Sequence, residues 1–296
     1  MLCTDPAEEQ RVRKALLELP ADSALVEVWG KWFQEVEDPS LTQAENYVEP
    51  GQFRWLVNRF SLLEDFSDYL AALREYARRH GQTNGWSRLR RRLATEWRGG
   101  SAGAYRTVVS AIFEASILGF SVRHWGEGVS LWPEVNKRAR ADLMVESEDL
   151  TFCGEAACTW KELDSHVQTR ALRPEQELLD REATRLLREV KKKCRQLAEG
   201  VTGVVFLHEF YLTYPGFYPG GKYRRAAVAA RVQSKFNSEP TLADVVLLLF
   251  RNWRLDSVVH ADLHQDCGEV VRRLAGVLND AFGLRWFAAP QRREEL

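Results

Sequence analysis

Residues 140–160, RADLMVESEDLTFCGEAACTW, predict a β-hairpin that carries one carboxylate on each arm. Asp142 opens the first apolar run, a polar turn follows at 147–149, and Glu155 interrupts the second apolar run. A charged side chain inside an otherwise buried strand is costly unless something pairs with it. Because hard divalent cations take carboxylate ligands, a cation is one partner that suits both side chains.

The segments on either side of the hairpin predict a definite order of elements. An apolar helix is expected over 104–118 and a strand over Phe120–Trp125, both before the hairpin. An amphipathic helix is expected over 179–199, because apolar residues recur there at helical spacing, and a strand over 201–207. The predicted order is therefore αβββαβ, which indicates an α/β fold.

This order and the two acidic residues resemble the PD-(D/E)xK nuclease superfamily, which has the restriction-endonuclease-like fold. Asp142 matches the first acidic position of the motif and Glu155 the second. The resemblance covers about residues 104–210 and implies that these carboxylates bind Mg²⁺ or Mn²⁺ for phosphodiester hydrolysis. The chain departs from the motif at Ala157, where the family has the lysine that activates the attacking water.

The resemblance also suggests where further site residues would lie. Some members of the superfamily move the lysine onto the following helix, which here offers Lys193 beside the apolar stripe, with Lys191 as another candidate. Lys161, just beyond the strand of Glu155, is an alternative. Several branches carry a helical glutamate as a third metal ligand, and Glu114 matches that position. Glu114 and Lys193 could equally lie on solvated helix faces.

The first hundred residues predict a helical domain with an uneven charge. Residues 1–69 carry 14 acidic and 6 basic side chains, whereas residues 70–100 carry 8 arginines and 2 glutamates. The guanidinium groups suit phosphate oxygens and so predict a DNA contact. They could instead pair with carboxylates of the same domain. The candidates for this contact are Arg88, Arg90, Arg91 and Arg92.

A second candidate nucleic-acid contact lies near residue 220. The segment 210–225 interleaves aromatic and cationic side chains, and residues 216–237 contain five Lys or Arg and no acid. Aromatic rings stack on bases and cations hold the phosphate backbone, which suits single-stranded or distorted DNA. The alternative is a loop whose tyrosines pack on the core. The candidate DNA-binding residues are Lys222, Tyr223, Arg224 and Arg225.

Composition and punctuation predict the domain plan. The chain has 296 residues, of which 45% are hydrophobic, enough for one large or two modest cores. The glycines of 99–103 predict a linker between a helical domain, 1–98, and an α/β domain with C-terminal additions, 104–296.

Charge and cysteine usage indicate the compartment. The net charge is −1, so the whole molecule is not drawn to nucleic acid. The five cysteines show no CxxC spacing, which is typical of a reduced, cytoplasmic protein. No leader or membrane span is expected, and hence no membrane partner.

The sequence therefore favours a metal-dependent nuclease that acts on DNA rather than RNA. The alternative is a nuclease fold that has lost catalysis and binds DNA or assembles a larger machine, as in a defence or recombination system. A third interpretation is protein binding through the acidic N-terminal domain.

Overall fold

The computed structural model describes residues 6–38, 40, 43, 60–96, 102–136, 139–161, 175–211, 221–251, 254–260 and 265–278. The chain is mixed α/β and divides into two compact units, the first reaching His124 and the second beginning at Trp125.

The first unit is helical over its described residues. Its helices are α1 (Pro6–Leu17), α2 (Ala24–Glu37), α3 (Phe60–Arg79), α4 (Thr83–Leu93) and α5 (Ala102–Trp125), which reaches the unit boundary. Helix α2 begins where the Ser23 hydroxyl accepts a hydrogen bond from the Val26 amide. The described residues of the predicted helical region form helices, and of the predicted linker only its last two residues, 102 and 103, are described and lie inside α5.

Large aromatic side chains form the core of the first unit. Trp29 of α2 is fully buried, stacks on Phe66 of α3 and donates an indole hydrogen bond to the Leu93 carbonyl at 2.9 Å. Gly119 of α5 lies against the backbone of Tyr69, where a Cβ would overlap it. The two contacts explain why tryptophan and glycine stand at these positions.

The predicted strand over Phe120–Trp125 is wrong, because helix α5 continues through it to Trp125. Ser121 donates its hydroxyl hydrogen bond to the Ile117 carbonyl one turn earlier, as a helical serine does. A segment of six residues that mixes apolar with polar side chains is too short for its spacing to separate a strand from the last turns of a helix. The 18-residue window that makes α5 apolar enough to cross a membrane is 78% buried inside the protein.

The second unit is built on a mixed six-stranded sheet and a separate two-stranded ribbon. The strands are β1 (Val129–Leu131), β2 (Glu134–Asn136), β3 (Ala139–Arg140), β4 (Leu143–Glu146), β5 (Thr151–Lys161), β6 (Gly203–Tyr211), β7 (Val245–Arg251) and β8 (Arg254–His260). The order in the sheet is β1-β4-β5-β6-β7-β8, and β2 and β3 form the ribbon. Strands β5, β6 and β7 are parallel and the others pair antiparallel.

Three helices accompany the sheet: α6 (Glu175–Cys194), α7 (Gly221–Asn237) and α8 (Gln265–Leu278). Helix α6 connects β5 to β6 and α7 connects β6 to β7, as parallel pairing requires. The stripe predicted on α6 is buried, and its residues pack in one core with Val205 and Leu247 of the central strands. The order from α5 to β6, leaving aside the small ribbon, is helix, three strands, helix, strand.

Candidate functional site

The predicted hairpin places Asp142 and Glu155 opposite each other. Strands β4 and β5 pair antiparallel with Leu143 opposite Gly154. Asp142, which precedes Leu143, therefore lies opposite Glu155, which follows Gly154. The turn is closed by the Ser147 amide, which donates to the Leu150 carbonyl at 2.9 Å. The two carboxylates therefore share one face of the sheet.

Each carboxylate is held by a backbone amide of the opposite arm. The Asp142 amide donates to Oε1 of Glu155 at 3.0 Å, and the Ala156 amide donates to Oδ2 of Asp142 at 2.8 Å. Glu155 is 0% exposed and Asp142 is 8% exposed. Reciprocal bonds to rigid backbone fix both side chains, so their orientation does not depend on a bound ligand.

Lys193 completes this arrangement from the last turn of α6. Its Nζ lies 2.6 Å from Oε2 of Glu155 and 4.0 Å from Oδ2 of Asp142. The lysine side chain is 26% exposed, which makes Lys193 the most solvent-exposed member of the cluster. The neighbouring lysines turn elsewhere, because Lys191 pairs with Glu239 and Lys192 with Glu189, each at 2.6 Å.

The candidate site thus holds two carboxylates and one ammonium, with a negative charge in excess. Burial raises the pKa of the nearby Cys153 thiol, and the charges of Glu155 and Asp142 raise it further, against the hydrogen bond from the Ala198 amide, which lowers it. Cys153 lies on the same face of β5 and accepts a hydrogen bond from the Ala198 amide at 3.3 Å. Desolvation and negative neighbours both disfavour its thiolate, so this thiol is not a nucleophile.

The donor set suits a hard divalent cation, although it is small. Carboxylate oxygens are the ligands that Mg²⁺ prefers, and Mg²⁺ commonly takes one or two carboxylates and keeps several waters. Among the residues that the structure describes, no group of three or more His, Cys, Asp or Glu side chains could hold a metal ion. A bound ion would therefore depend on Asp142 and Glu155, with water or substrate oxygens filling the remaining positions.

Glu114, the predicted third ligand, belongs to the first unit. It is 5% exposed and accepts a hydrogen bond from Nη1 of Arg92. This ion pair balances the buried carboxylate within its own unit.

Several arginines of the predicted DNA contact are also paired inside the first unit. Arg90 contacts Glu27 at 3.1 Å, and Arg78 and Arg79 both contact Glu75. The two guanidinium groups lower the pKa of Glu75 to about 2. Arg88 and Arg91 are exposed and form no ion pair with any residue in the described ranges.

The remaining predicted residues are only partly placed. Lys222, Tyr223, Arg224 and Arg225 lie in the first turns of α7, but their side chains are outside the described part of the structure. Lys161 is the last residue of β5, and its side chain is likewise outside it.

Two buried polar residues near this face did not enter the sequence-based prediction. Thr159 of β5, two residues beyond Ala157 on the face of Glu155, is 3% exposed, and Glu182 of α6 is 7% exposed. Glu182 occupies the apolar stripe between Leu179 and Leu186, so helical spacing alone marks it as a buried carboxylate. The sequence signal for Thr159 was weaker, because only the two-residue period of a strand places it on the same face as Glu155.

Comparison with protein-family models, curated proteins and solved structures found no significant match for this chain.

Proposed function

We propose that the protein is a metal-dependent nuclease of the PD-(D/E)xK kind that acts on DNA. The observation that carries this proposal is the Lys193 ammonium, 2.6 Å from a buried Glu155 that faces Asp142 across a hairpin. The superfamily's functional groups are two carboxylates on strands and one lysine beside them. In this protein the lysine would come from α6 and not from the E-x-K position. The element order from α5 to β6 supports the same fold assignment.

In this proposal each side chain has a distinct task. Asp142 and Glu155 would hold Mg²⁺ or Mn²⁺, which neutralises phosphate charge and lowers the pKa of bound water. The backbone amides of Asp142 and Ala156 keep the two carboxylates turned toward the same point. Lys193 would orient the attacking water and donate a hydrogen bond to it, because it is the most solvent-exposed of the three side chains.

A cleavage assay tests the proposal. Purified protein is incubated with single-stranded, duplex and branched DNA in Mg²⁺, in Mn²⁺ and in chelator. We expect cleavage of at least one DNA form in metal and none in chelator. No metal-dependent cleavage of any form would refute the enzymatic function.

A second candidate function is DNA binding or complex assembly by a fold that no longer cleaves. The ion pair between Lys193 and Glu155 is also compatible with this candidate, because the ammonium donates a hydrogen bond to Oε2 of the buried carboxylate without any cation. Salt-dependent DNA affinity without cleavage in the same assay would support it. Partners that bind the acidic N-terminal region remain a third proposal, supported if the protein shows no salt-sensitive DNA affinity.

The basic residues in the first turns of α7 are expected to contribute to DNA affinity. Replacing Lys222, Arg224 and Arg225 together with Ala should weaken binding to all DNA sequences and flatten its salt dependence. Each lost phosphate contact removes about 0.7–0.9 units from the slope of log K against log salt. The measurement is fluorescence anisotropy at several salt concentrations. Lys14→Ala, which removes an exposed lysine of α1, is the control, and an unchanged slope in the triple variant would exclude this contact.

A further inference from the structure

Helices α2 and α4 of the first unit each contribute one cation to the surface where they meet. Lys31 of α2 and Arg91 of α4 are exposed, and neither forms an ion pair with any residue that the structure describes. The Lys31 ammonium lies 3.8 Å from the ring centre of Trp32, a cation–π contact that holds the ammonium in place but supplies no negative formal charge to neutralise it.

The neighbouring carboxylate is already shared among several donors. Glu27 accepts from Arg90 at 3.1 Å and from Arg74 at 3.4 Å, and the Trp86 indole donates to the same oxygen as Arg90 at 3.2 Å. Arg90 is thereby fixed against α2. Glu27 therefore cannot also neutralise Lys31 and Arg91, which leaves a local positive charge.

These residues line one cavity between α2 and α4. Its volume is about 490 Å³, within the range of small-molecule sites in proteins. Three cations, Lys31, Arg90 and Arg91, and one carboxylate, Glu27, line it, which leaves two formal positive charges in excess. The polar and small residues of its wall are Glu27, Gly30, Lys31, Ser87, Arg90 and Arg91.

Gly30 contributes to the shape of this cavity. It lies in the interior of α2, where glycine costs about 1 kcal/mol relative to alanine. A Cβ at this position would come within 2.8 Å of Cγ1 of Val26, so any larger residue would displace the cavity wall. The helix therefore tolerates a weak position in the wall of the cavity.

We propose that this cavity binds a phosphate monoester, carried by a free nucleotide or by the terminus of a nucleic-acid strand, through Lys31, Arg91 and Ser87. A monoester carries about 1.5–2 negative charges at neutral pH, which matches the two excess positive charges better than a singly charged phosphodiester or carboxylate. The Arg91 guanidinium suits two phosphate oxygens at once, Lys31 supplies a point charge, and the Ser87 hydroxyl supplies a further donor.

This site is independent of the proposed nuclease function. All of its residues lie in the first unit, and Asp142, Glu155 and Lys193 lie in the second. Phosphate binding can therefore be measured in chelator, where a metal-dependent enzyme does not cleave. Failure of either proposal leaves the other standing.

The test compares two short single-stranded oligonucleotides of one sequence, labelled at the 3′ end, with a 5′-phosphate or a 5′-hydroxyl. Anisotropy is measured on the full chain in chelator, with adenosine monophosphate and inorganic phosphate as competitors. We expect the phosphorylated strand to bind about tenfold more tightly, since one charge-assisted pair contributes on that scale. Competition by adenosine monophosphate with no preference between the strands assigns the site to a free nucleotide.

Matched variants separate the cavity from the general basic surface. Arg91→Gln and Lys31→Gln should each weaken binding of the phosphorylated strand, or of the nucleotide, about tenfold. Lys14→Gln removes one charge from α1, outside the cavity, and should leave the affinity unchanged. Lys31 and Arg91 are both exposed, so neither substitution should disturb the core. Melting temperatures equal to that of wild type verify that the variants fold. Equal affinity for both strands without competition by the nucleotide would overturn the proposal, as would an equal loss in Lys14→Gln.

Discussion

Asp142→Asn and Glu155→Gln are each expected to reduce metal-dependent DNA cleavage about a thousandfold or more. Both substitutions keep the shape of the side chain and remove the charge that would hold the cation. A catalytic metal contributes several kcal/mol to transition-state stabilisation, and each ~1.4 kcal/mol corresponds to a factor of ten in rate. The measurement is the initial rate of cleavage of labelled DNA at saturating Mg²⁺.

Glu146→Gln provides the matched control for these variants. Glu146 lies on the same strand as Met144 and Leu143, but its side chain is exposed at the far end of the hairpin arm. We expect wild-type cleavage from this variant. Residual cleavage of more than about a tenth in Glu155→Gln would show that the carboxylate is not needed for catalysis.

Lys193→Met is expected to make the stability of the protein depend on divalent metal. In chelator the variant should lose about 1–3 kcal/mol, because the fully buried Glu155 carboxylate loses its ammonium partner. This is less than the cost for a wholly buried pair, since the lysine is 26% exposed. Added Mg²⁺ should restore part of the loss by taking the place of the missing positive charge.

Urea denaturation with and without Mg²⁺ measures this effect. Lys192→Met is the control, because Lys192 forms only an exposed pair with Glu189 and should change stability by less than about 0.5 kcal/mol. No stabilisation of Lys193→Met by Mg²⁺ would contradict a cation site at Glu155. A slower rate of cleavage with metal binding retained would assign Lys193 to positioning water.

The hairpin and the helix behind it could be predicted because their signals are local. Asp142 and Glu155 interrupt apolar runs that otherwise demand burial, and the stripe from Leu179 to Leu197 has helical spacing. Lys193 borders that stripe, which is why it was a candidate for the ammonium beside Glu155. The sequence alone could not exclude Lys191, because Lys191 is directed away from Glu155 by a tertiary contact, its ion pair with Glu239 in a distant segment.

Other features carried no local signal. The region Phe120–Trp125 is only six residues long and mixes apolar with polar side chains, so its helical form as the end of α5 could not be read from a period. The hydrogen bond that holds Asp142 is donated by the backbone amide of Ala156, so the type of residue at position 156 does not predict it. The arginines of α4 showed their charge in the sequence, but their partners Glu27 and Glu114 lie 63 and 22 residues away.

Crystals of the protein soaked in Mn²⁺ test the central claim most directly, because anomalous scattering locates the ion without reference to activity. We predict one ordered ion with oxygens of Asp142 and Glu155 at about 2.0–2.6 Å and the Lys193 ammonium moved away from Oε2 of Glu155. An unoccupied carboxylate pair at saturating Mn²⁺, with Lys193 still 2.6 Å from Glu155, would contradict the metal-dependent site.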